Sequence, residues 1–164
     1  MKLTKEIIQS KILDKESLPP VLARLRFRGM KIVFTNGCFD ILHHGHIDYL
    51  SKAKDLGNIL MLGLNTDSSI KQIKGNMRPV QDEESRKFVM ASLHFVDYVI
   101  PFSEETPYNL IKTIQPDVLV KGADYKKEEI AGYDIVEDKS GKIVTVDLLE
   151  GYSTSSIIEK IKQS

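Results

Sequence analysis

Short apolar runs alternate with helix-like segments along this chain, and that alternation restricts the fold more than any other feature of the sequence. Five apolar runs are predicted to be buried strands, and they lie at residues 31–35, 58–64, 98–100, 118–120 and 143–146. Strands that read as continuous apolar runs are buried on both faces, as in a parallel sheet covered by helices. The pattern therefore predicts an α/β fold with a doubly wound parallel sheet of about five strands.

Helical spacing of apolar residues predicts the helices that cover this sheet. They are expected at residues 45–56, 83–95 and 107–114 and from Ser153 onward. Asp67 is expected to cap a helical turn after the second strand. Residues 71–79 are predicted to be a polar, basic loop, and residues 126–141 a charged connecting segment.

A chain of 164 residues can form one domain with a substantial core and is too short for two. Residues 1–30 are predicted to form a helical N-terminal extension, in which two successive prolines separate helices at 2–13 and 21–27. The main domain is then residues 31–164. The extension is expected either to pack on that domain or to take part in a homodimer.

Composition and charge exclude several classes of partner. Lys plus Arg and Asp plus Glu both total 23, and this zero net charge argues against nucleic acid and anionic membranes. The longest apolar runs are strand-sized and the N-terminus has no signal-peptide core, so we expect a cytoplasmic protein that does not enter a membrane. Cys38 is the single cysteine, which excludes an internal disulfide and a Cys-rich zinc site.

The first predicted strand runs into a helix through a turn that begins at Asn36 and Gly37. Such a turn aims backbone N–H groups at one place, with the helix dipole behind them, and this arrangement favours phosphate. His43, Gly45 and His46 fall at this turn. Imidazoles can donate hydrogen bonds and glycine lets a ligand approach the backbone, so the sequence predicts a phosphate site here.

The same histidines could instead form a surface turn or bind a transition metal. A zinc site normally has a third ligand and a helical pair of histidines four residues apart. His43 and His46 are three residues apart, with Gly45 between them, and no Cys-x-x-Cys accompanies them. Phosphate contact is therefore favoured over metal binding, and His44 is expected to face elsewhere.

Right-handed crossovers place the carboxyl ends of parallel strands along one edge of the sheet, where ligands bind. Functional candidates should therefore follow strands. Those that do are His43, His46, Asn65, Gly122, Asp124 and Ser153.

Two separated motifs resemble those of one enzyme superfamily. The segment GCFDILHHGH, residues 37–46, resembles the HxGH motif of the HIGH-type nucleotidylyltransferases, which include the cytidylyltransferases and pantetheine-phosphate adenylyltransferase. The segment GYSTSSI, residues 151–157, resembles the Ser/Thr-rich helix start that forms the second half of that pattern. Because both motifs occur in the right order at strand-to-helix turns, the resemblance is specific and implies a Rossmann-like fold.

A narrower resemblance covers about residues 30–162. The segments LHHGHIDYL, LNTDSSIKQIKGNMRPV, VDYVIPFSEETPYNLI, PDVLVKGADYKKEEIAG and GYSTSSII are similar to the adenylyltransferase domain of heptose-phosphate biosynthesis. This family transfers AMP from ATP to D-glycero-β-D-manno-heptose 1-phosphate, giving ADP-heptose for lipopolysaccharide. Many members carry a fused sugar kinase; none fits here, so the resemblance implies a kinase on a separate chain. Three positions depart from the family's pattern, namely His44, Ala123 and Ser155.

The resemblance also implies roles for individual residues. Catalytic roles are implied for His43, His46 and Lys74. Nucleotide contacts are implied for Cys38, Phe39, Gly45, Asn65, Arg78, Gly122, Asp124, Ser153 and Thr154. Lys74 is favoured as the phosphate clamp and Arg78 is second, while Lys71 is an alternative. Mg²⁺ is the expected cofactor, held by triphosphate oxygens and water, with no metal ligand from the protein.

Two other functions remain open at this point. One is a cytidylyltransferase that acts on glycerol 3-phosphate or a related phosphorylated alcohol. The other is a nucleotide-binding module without catalysis. The presence of both histidines, Lys74 and the Ser153–Thr154 pair argues against the loss of catalysis.

Overall fold

The computed structural model of the chain describes residues 3–123 and 126–163. Five strands form one sheet: β1 (Ile32–Gly37), β2 (Ile59–Asn65), β3 (Tyr98–Phe102), β4 (Val118–Gly122) and β5 (Lys142–Val146). All neighbouring pairs are parallel, and the strand order is β3-β2-β1-β4-β5. The predicted α/β fold with a doubly wound, Rossmann-like parallel sheet is confirmed.

The helices are α1 (Thr4–Gln9), α2 (Leu18–Phe27), α3 (His44–Lys54), α4 (Asp67–Lys74), α5 (Glu83–Ser92), α6 (Tyr108–Ile114), α7 (Tyr133–Asp138) and α8 (Thr154–Gln163). A 3₁₀ turn at Lys127–Glu129 precedes α7. The charged segment 126–141 thus contains a helix that its composition did not indicate. Val136 anchors this helix because its side chain is fully buried.

The prediction of a loop over residues 71–79 is wrong for its first part, because α4 continues to Lys74. The hydroxyl of Thr66, rather than the carboxylate of Asp67, caps this helix by accepting a hydrogen bond from the N–H of Ser69. Ile70 is fully buried and holds the otherwise polar helix against the sheet. Lys71 and Lys74 therefore lie on the last turn of a helix.

Helices cover both faces of the sheet and enclose two apolar clusters. One cluster contains α3 and α5 residues, such as Leu50 and Met90, against Val33 and Leu62. The other contains α2, α6 and α7 residues, such as Leu22, Ile111 and Val136, against other strand residues. The sheet therefore has an α3/α5 face and an α6/α7 face, and this distinction locates the cavities described below.

The N-terminal residues are built into this layered structure. Residues 11–13 run beside β3, where the N–H of Leu13 donates to the Val99 carbonyl and the N–H of Val99 donates to the Lys11 carbonyl, both at 2.9 Å. This pairing covers an edge strand of the sheet. The two prolines do not interrupt a helix as predicted but lie in the first turn of α2, where a missing N–H costs no helical hydrogen bond.

In the parts of the chain that the structure describes, no helix is long and apolar enough to cross a membrane.

The strand order reverses between the two central neighbours, β1 and β4, whose carboxyl ends point to the same edge. In open α/β sheets such a switch point leaves a crevice for a ligand. The turn into α3 follows β1, and the pair Lys121–Gly122 ends β4, so the motifs identified in the sequence meet at this crevice.

Candidate active site

A cavity of about 600 Å³ opens at this edge of the sheet, among the end of β1, the start of α3, the end of β4 and the start of α8. Most of the residues predicted to be functional line it. They are Cys38, Phe39, His43, Gly45, His46, Lys74, Arg78, Gly122, Ser153 and Thr154. The two helix starts that carry the recognised motifs therefore face one cavity.

The two imidazoles of the first motif stack on each other. The ring centroids of His43 and His46 are 3.7 Å apart and the planes differ by 21°. Phe39 contacts the second ring, with centroids 5.1 Å apart. The Nδ1 atoms of both histidines are buried and have no hydrogen-bond partner among the described residues. Buried polar atoms in native proteins nearly always have a partner, so these atoms indicate a ligand.

Burial lowers the pKa of both imidazoles. The pKa of His46 falls from 6.5 to about 4, first because burial disfavours the charged ring and then because His43 and Lys74 lie nearby. An interaction with the backbone of Ile41 acts in the opposite direction. Burial alone lowers the pKa of His43. Both rings are therefore neutral at pH 7 in the free protein.

Arg78 enters the cavity wall in a fixed orientation. Its Nε donates to Asp40 Oδ2 at 2.7 Å, and the other oxygen of Asp40 accepts from the N–H groups of Val80 and Gln81 at 2.8 and 2.9 Å. Burial would raise the pKa of Asp40, but the hydrogen bonds from Gln81, Val80 and Arg78 hold that pKa below its ordinary value. The Nη2 of Arg78 is buried without a partner in the described structure. One end of the guanidinium is thus anchored, and the other end offers a donor.

Lys74 and Lys71 lie on the same turn of α4 but differ in their surroundings. Lys74 lines the cavity, close enough to His46 to lower the pKa of that ring. Lys71 is not part of the cavity wall that the described residues form. The geometry therefore favours Lys74 over Lys71 as the phosphate clamp.

The start of α8 supplies hydroxyl groups to the opposite wall. The Oγ of Ser153 accepts a hydrogen bond from the N–H of Ser156 at 3.0 Å, which is the usual role of a serine at a helix start. Thr154 is the first helical residue and also lines the cavity. Tyr152 belongs to the second motif, and its ring contacts His44 of the first motif edge-on, with centroids 5.0 Å apart.

Of the predicted nucleotide contacts, one lies in a neighbouring cavity and one lies outside the described residues. Asn65 lines a neighbouring cavity, and its Nδ2 donates to the Oγ of Ser69 at 2.8 Å. Asp124 lies outside the described residues, so its predicted contact with the nucleotide stays a prediction.

Comparison with known proteins identifies the family. A family model described as Cytidylyltransferase-like matches residues 34–160, which is well over half of the chain. The chain belongs to the cytidylyltransferase-like family. The matched region contains both motifs, β2 to β5 and all of β1 except its first two residues. It also includes every described residue that lines the cavity.

Curated relatives of this family member match it over nearly its full length. The Bifunctional protein HldE of Wolinella succinogenes is 49% identical over 156 residues, which are 95% of this chain and 32% of that protein. The Bifunctional protein HldE of Campylobacter jejuni subsp. doylei is 53% identical over 154 residues, 94% of this chain and 32% of the relative. The chain thus spans about a third of the length of these relatives.

Solved structures share the fold. A lipopolysaccharide core biosynthesis protein from Thermoplasma volcanium is 31% identical, with a TM-score of 0.64 over 74% of this chain and 100% of that one. Pantoate-beta-alanine ligase from Francisella tularensis is 18% identical, with a TM-score of 0.59 over 93% of this chain and 78% of that one. The second likeness concerns the fold alone.

Two residues of this cytidylyltransferase-like site were not anticipated from the sequence. Arg86 is fully buried on α5, and its guanidinium donates to the carbonyls of Cys38 and Asn65 at 2.8 Å and to Asp67 Oδ1 at 2.7 Å. It therefore ties the turn after β1 to the end of β2 and the start of α4. A single arginine in an amphipathic helix carries no local signal of such burial.

Lys121 is the second such residue. It lines the cavity, and its Nζ donates to Asn36 Oδ1 at 2.5 Å. A lysine at the end of an otherwise apolar run, VLVKG, was the available signal.

The described residues contain no group of three or more His, Cys, Asp or Glu side chains that could hold a metal ion. Among the described residues, Asp40 is the carboxylate in the cavity wall, and both of its oxygens accept hydrogen bonds, from Arg78 and from backbone N–H groups. This donor set fits a Mg²⁺ ion that is held through substrate oxygens and water.

Proposed function

We propose that this chain transfers AMP from ATP to D-glycero-β-D-manno-heptose 1-phosphate, giving ADP-heptose and pyrophosphate for a lipopolysaccharide or other surface glycan. One observation carries the proposal: His43 Nδ1, His46 Nδ1 and Arg78 Nη2 are buried in the wall of one cavity, without a partner among the described residues. Leaving a buried polar atom unpaired costs about 1–3 kcal/mol. Arg78 Nη2 is a donor, and a neutral imidazole can carry its one N–H on Nδ1, so these three atoms suit an oxygen-rich ligand. The phosphate chain of ATP supplies such oxygens.

The choice of acceptor is supported by the relatives and by the motifs. Relatives that share about half of their aligned residues with this chain are named Bifunctional protein HldE. A solved structure at 31% identity is described as a lipopolysaccharide core biosynthesis protein. Five separated segments of the sequence resemble the heptose-phosphate adenylyltransferase domain. The cavity wall contains Lys74 and Lys121, which can bind a phosphate, and polar side chains, which can bind sugar hydroxyl groups.

The reaction needs little acid–base chemistry. An oxygen of the acceptor phosphate forms a bond to the α-phosphorus of ATP, and the bond from that phosphorus to the bridging oxygen breaks. Pyrophosphate leaves with the electron pair. A phosphate monoester has its second pKa near ~6, so the nucleophile is already ionised at pH 7 and no general base is needed. Alignment and charge stabilisation then provide the catalysis.

Individual residues of the cavity provide these two effects. His43 and His46 donate to the α- and β-phosphates, and Gly45 leaves room for them. Lys74 and Arg78 neutralise the triphosphate, while the helix start at Ser153–Thr154 holds the phosphates that become pyrophosphate. Nucleotide contacts by Cys38, Phe39, Gly122 and Asp124 are part of the same proposal. The apolar wall made by Leu148, Leu149 and Tyr152 suits the nucleobase.

Mg²⁺ bound to the triphosphate would neutralise charge on the leaving pyrophosphate. The engaged carboxylate of Asp40 is consistent with an ion that is held mainly by the substrate. A homodimer and cytoplasmic residence remain predictions.

A pyrophosphate-release assay tests the function. ATP or CTP is combined in turn with heptose 1-phosphate, glycerol 3-phosphate and other phosphorylated alcohols, in the presence of Mg²⁺. Release with ATP and heptose 1-phosphate is expected. Release only with CTP would identify a cytidylyltransferase, and nucleotide binding without release on any acceptor would identify a binding module.

A further inference from the structure

The segment 147–163 forms one wall of the active-site cavity and is only loosely packed. The structure describes this segment without a gap, and none of its residues is buried, although β5 ends at the buried Val146. Leu148 is 55% exposed and Tyr152 is 49% exposed, yet both line the cavity together with residues 153–155. Segments with few buried apolar contacts open locally at a small cost in free energy. The apolar core therefore does little to fix this wall.

The wall that faces this segment is firmly held. It contains the first turns of α3, whose residues Leu50 and Ala53 are fully buried in the apolar cluster beneath. The hydroxyl of Tyr49 on the same helix forms a 2.7 Å hydrogen bond with Oγ1 of Thr35 on β1. The start of α3 is therefore a fixed surface against which a loosely packed segment can be positioned.

Tyr152 makes contacts that join the two walls. Its Cβ atom lies close to Gly45 of α3. Its ring meets the ring of His44 edge-on, with centroids 5.0 Å apart and an angle of 76° between the planes, which is a favoured arrangement of aromatic rings. His44 is the first residue of α3, is exposed and is not part of the described cavity wall. Its ring therefore influences the cavity through Tyr152.

We infer that His44 is a positioning residue for the nucleotide. Its ring holds Tyr152, and Tyr152 in turn holds the wall 148–155 at the distance from α3 that suits the phosphates and the nucleobase. The neighbouring His43 and His46 line the cavity themselves, so the three imidazoles have two different tasks. The inference rests on the proposed function and adds a residue that acts on the nucleotide without touching it.

Two substitutions at His44 test this role. His44→Ala removes the ring, and KM for ATP should rise about two- to tenfold, the effect expected for one edge-to-face pair of rings. kcat should change by less than about twofold, because the groups that contact the reacting phosphates stay in place. His44→Phe keeps an aromatic ring at this position and should restore the wild-type KM. A wild-type KM in His44→Ala, a loss confined to kcat, or a raised KM that His44→Phe does not restore overturns the inference.

His94→Ala is the matched control. His94 also meets an aromatic ring edge-on, that of Phe95, at the same centroid distance of 5.0 Å, and neither residue lines the cavity as the described residues form it. This variant should keep the wild-type KM for ATP. An equal rise of KM in His44→Ala and His94→Ala would show that the loss of any such ring contact has this effect, and it overturns the assignment.

A double-mutant cycle tests whether His44 acts through Tyr152. Tyr152→Ala should raise KM for ATP by itself. Adding His44→Ala to that variant should raise KM no further, because the ring that His44 contacts is already absent. Additive effects of the two substitutions on KM overturn the inference.

Amide hydrogen exchange separates this inference from the proposed function, because it needs no substrate. Residues 147–158 should exchange faster in His44→Ala than in wild type or His94→Ala, while exchange in α3 is unchanged. Equal exchange of residues 147–158 in the three proteins overturns the inference, whatever the activity. If wild type releases no pyrophosphate with any acceptor, the proposed function fails, and the dissociation constant of ATP from calorimetry replaces KM in the same comparisons. Absence of ATP binding in wild type overturns both.

Discussion

The Cβ atom of Tyr152 lies 3.2 Å from the position that a Cβ atom on Gly45 would occupy. The start of α3 and the loop before α8 therefore touch at the point where only a glycine leaves room. Residues more than a hundred positions apart in the chain form one wall in this way, and the first prediction tests that contact.

Gly45→Ala should lower kcat/KM for ATP, because a shift of the His43 ring or of the loop displaces the groups that align the phosphates, and catalysis is sensitive to such misplacement. The added methyl group would also lie 3.2 Å from His43 Nδ1, so the ring or the loop must shift. Steady-state kinetics measure the effect, with Lys52→Ala on the exposed side of α3 as the control. Equal kinetics in the two variants would show that the close approach is not needed.

His46→Asn should lower kcat by about 10²–10³, the usual effect of removing one donor that stabilises a transition state. ATP binding should weaken much less, because the donor acts mainly on charge that develops during the reaction. Pre-steady-state kinetics and ATP titration separate the two quantities. His94→Asn is the control, since His94 lies against Phe95, away from the cavity. A wild-type kcat in His46→Asn would refute the catalytic role.

Lys74→Ala should lower kcat/KM about tenfold or more, while Lys71→Ala should leave it within about twofold. Both lysines lie on the last turn of α4, but Lys74 lines the active-site cavity and the neighbouring cavity, and Lys71 lines neither as the described residues form them. The two variants each remove one positive charge from the last turn of α4, but only Lys74→Ala removes it from the cavity wall. Full activity in Lys74→Ala would move the role to Lys71 or Arg78.

Protein stability should fall as the pH drops from about 6.5 to about 4, the two values between which the pKa of His46 moves on folding. In this range the unfolded chain binds a proton at His46 and the folded protein does not, so acid favours the unfolded state. The pKa of His43 is lowered too and acts with the same sign. Asp40, whose pKa is also lowered, contributes only at lower pH.

Urea unfolding at pH 7.0 and pH 4.5 measures this dependence. His46→Asn should reduce the difference in unfolding free energy between the two pH values, because the asparagine does not titrate. The same pH dependence in the variant and in wild type would show that His46 is not the group responsible.

Arg86→Met should lower the free energy of unfolding by about 1–3 kcal/mol for each buried carbonyl that loses its donor. The ion pair itself adds little, because the side chain of Asp67 is 35% exposed. The carbonyls of Cys38 and Asn65 would lose their donor, and the turn after β1 would lose its tie to β2. Urea denaturation compares this variant with Lys87→Met on the same helix, which removes ion pairs to the half-buried Glu83 and the exposed Glu84 and should cost about 1 kcal/mol or less. A similar loss of unfolding free energy in the two variants would show that the hydrogen bonds of Arg86 do not hold these segments together.

Local patterns were sufficient for the architecture and for much of the site. Strands β1 to β5 lie where apolar runs predicted them, because continuous apolar runs and helical spacing are properties of neighbouring residues. His43, Gly45, His46 and Ser153 follow strands directly, so the topology of a parallel sheet brings them to one edge without further information.

Contacts between distant segments decided the rest. The sequence by itself determined an α/β sheet with two phosphate-type helix starts at one edge. The tertiary structure alone decided that Lys74 ends a helix, that Asn65 lines the neighbouring cavity, and that Arg86 is buried against the turn after β1. The physical reason is that each of these environments is made by side chains from several strands, and which loops become neighbours depends on the strand order of the sheet, which no local period encodes.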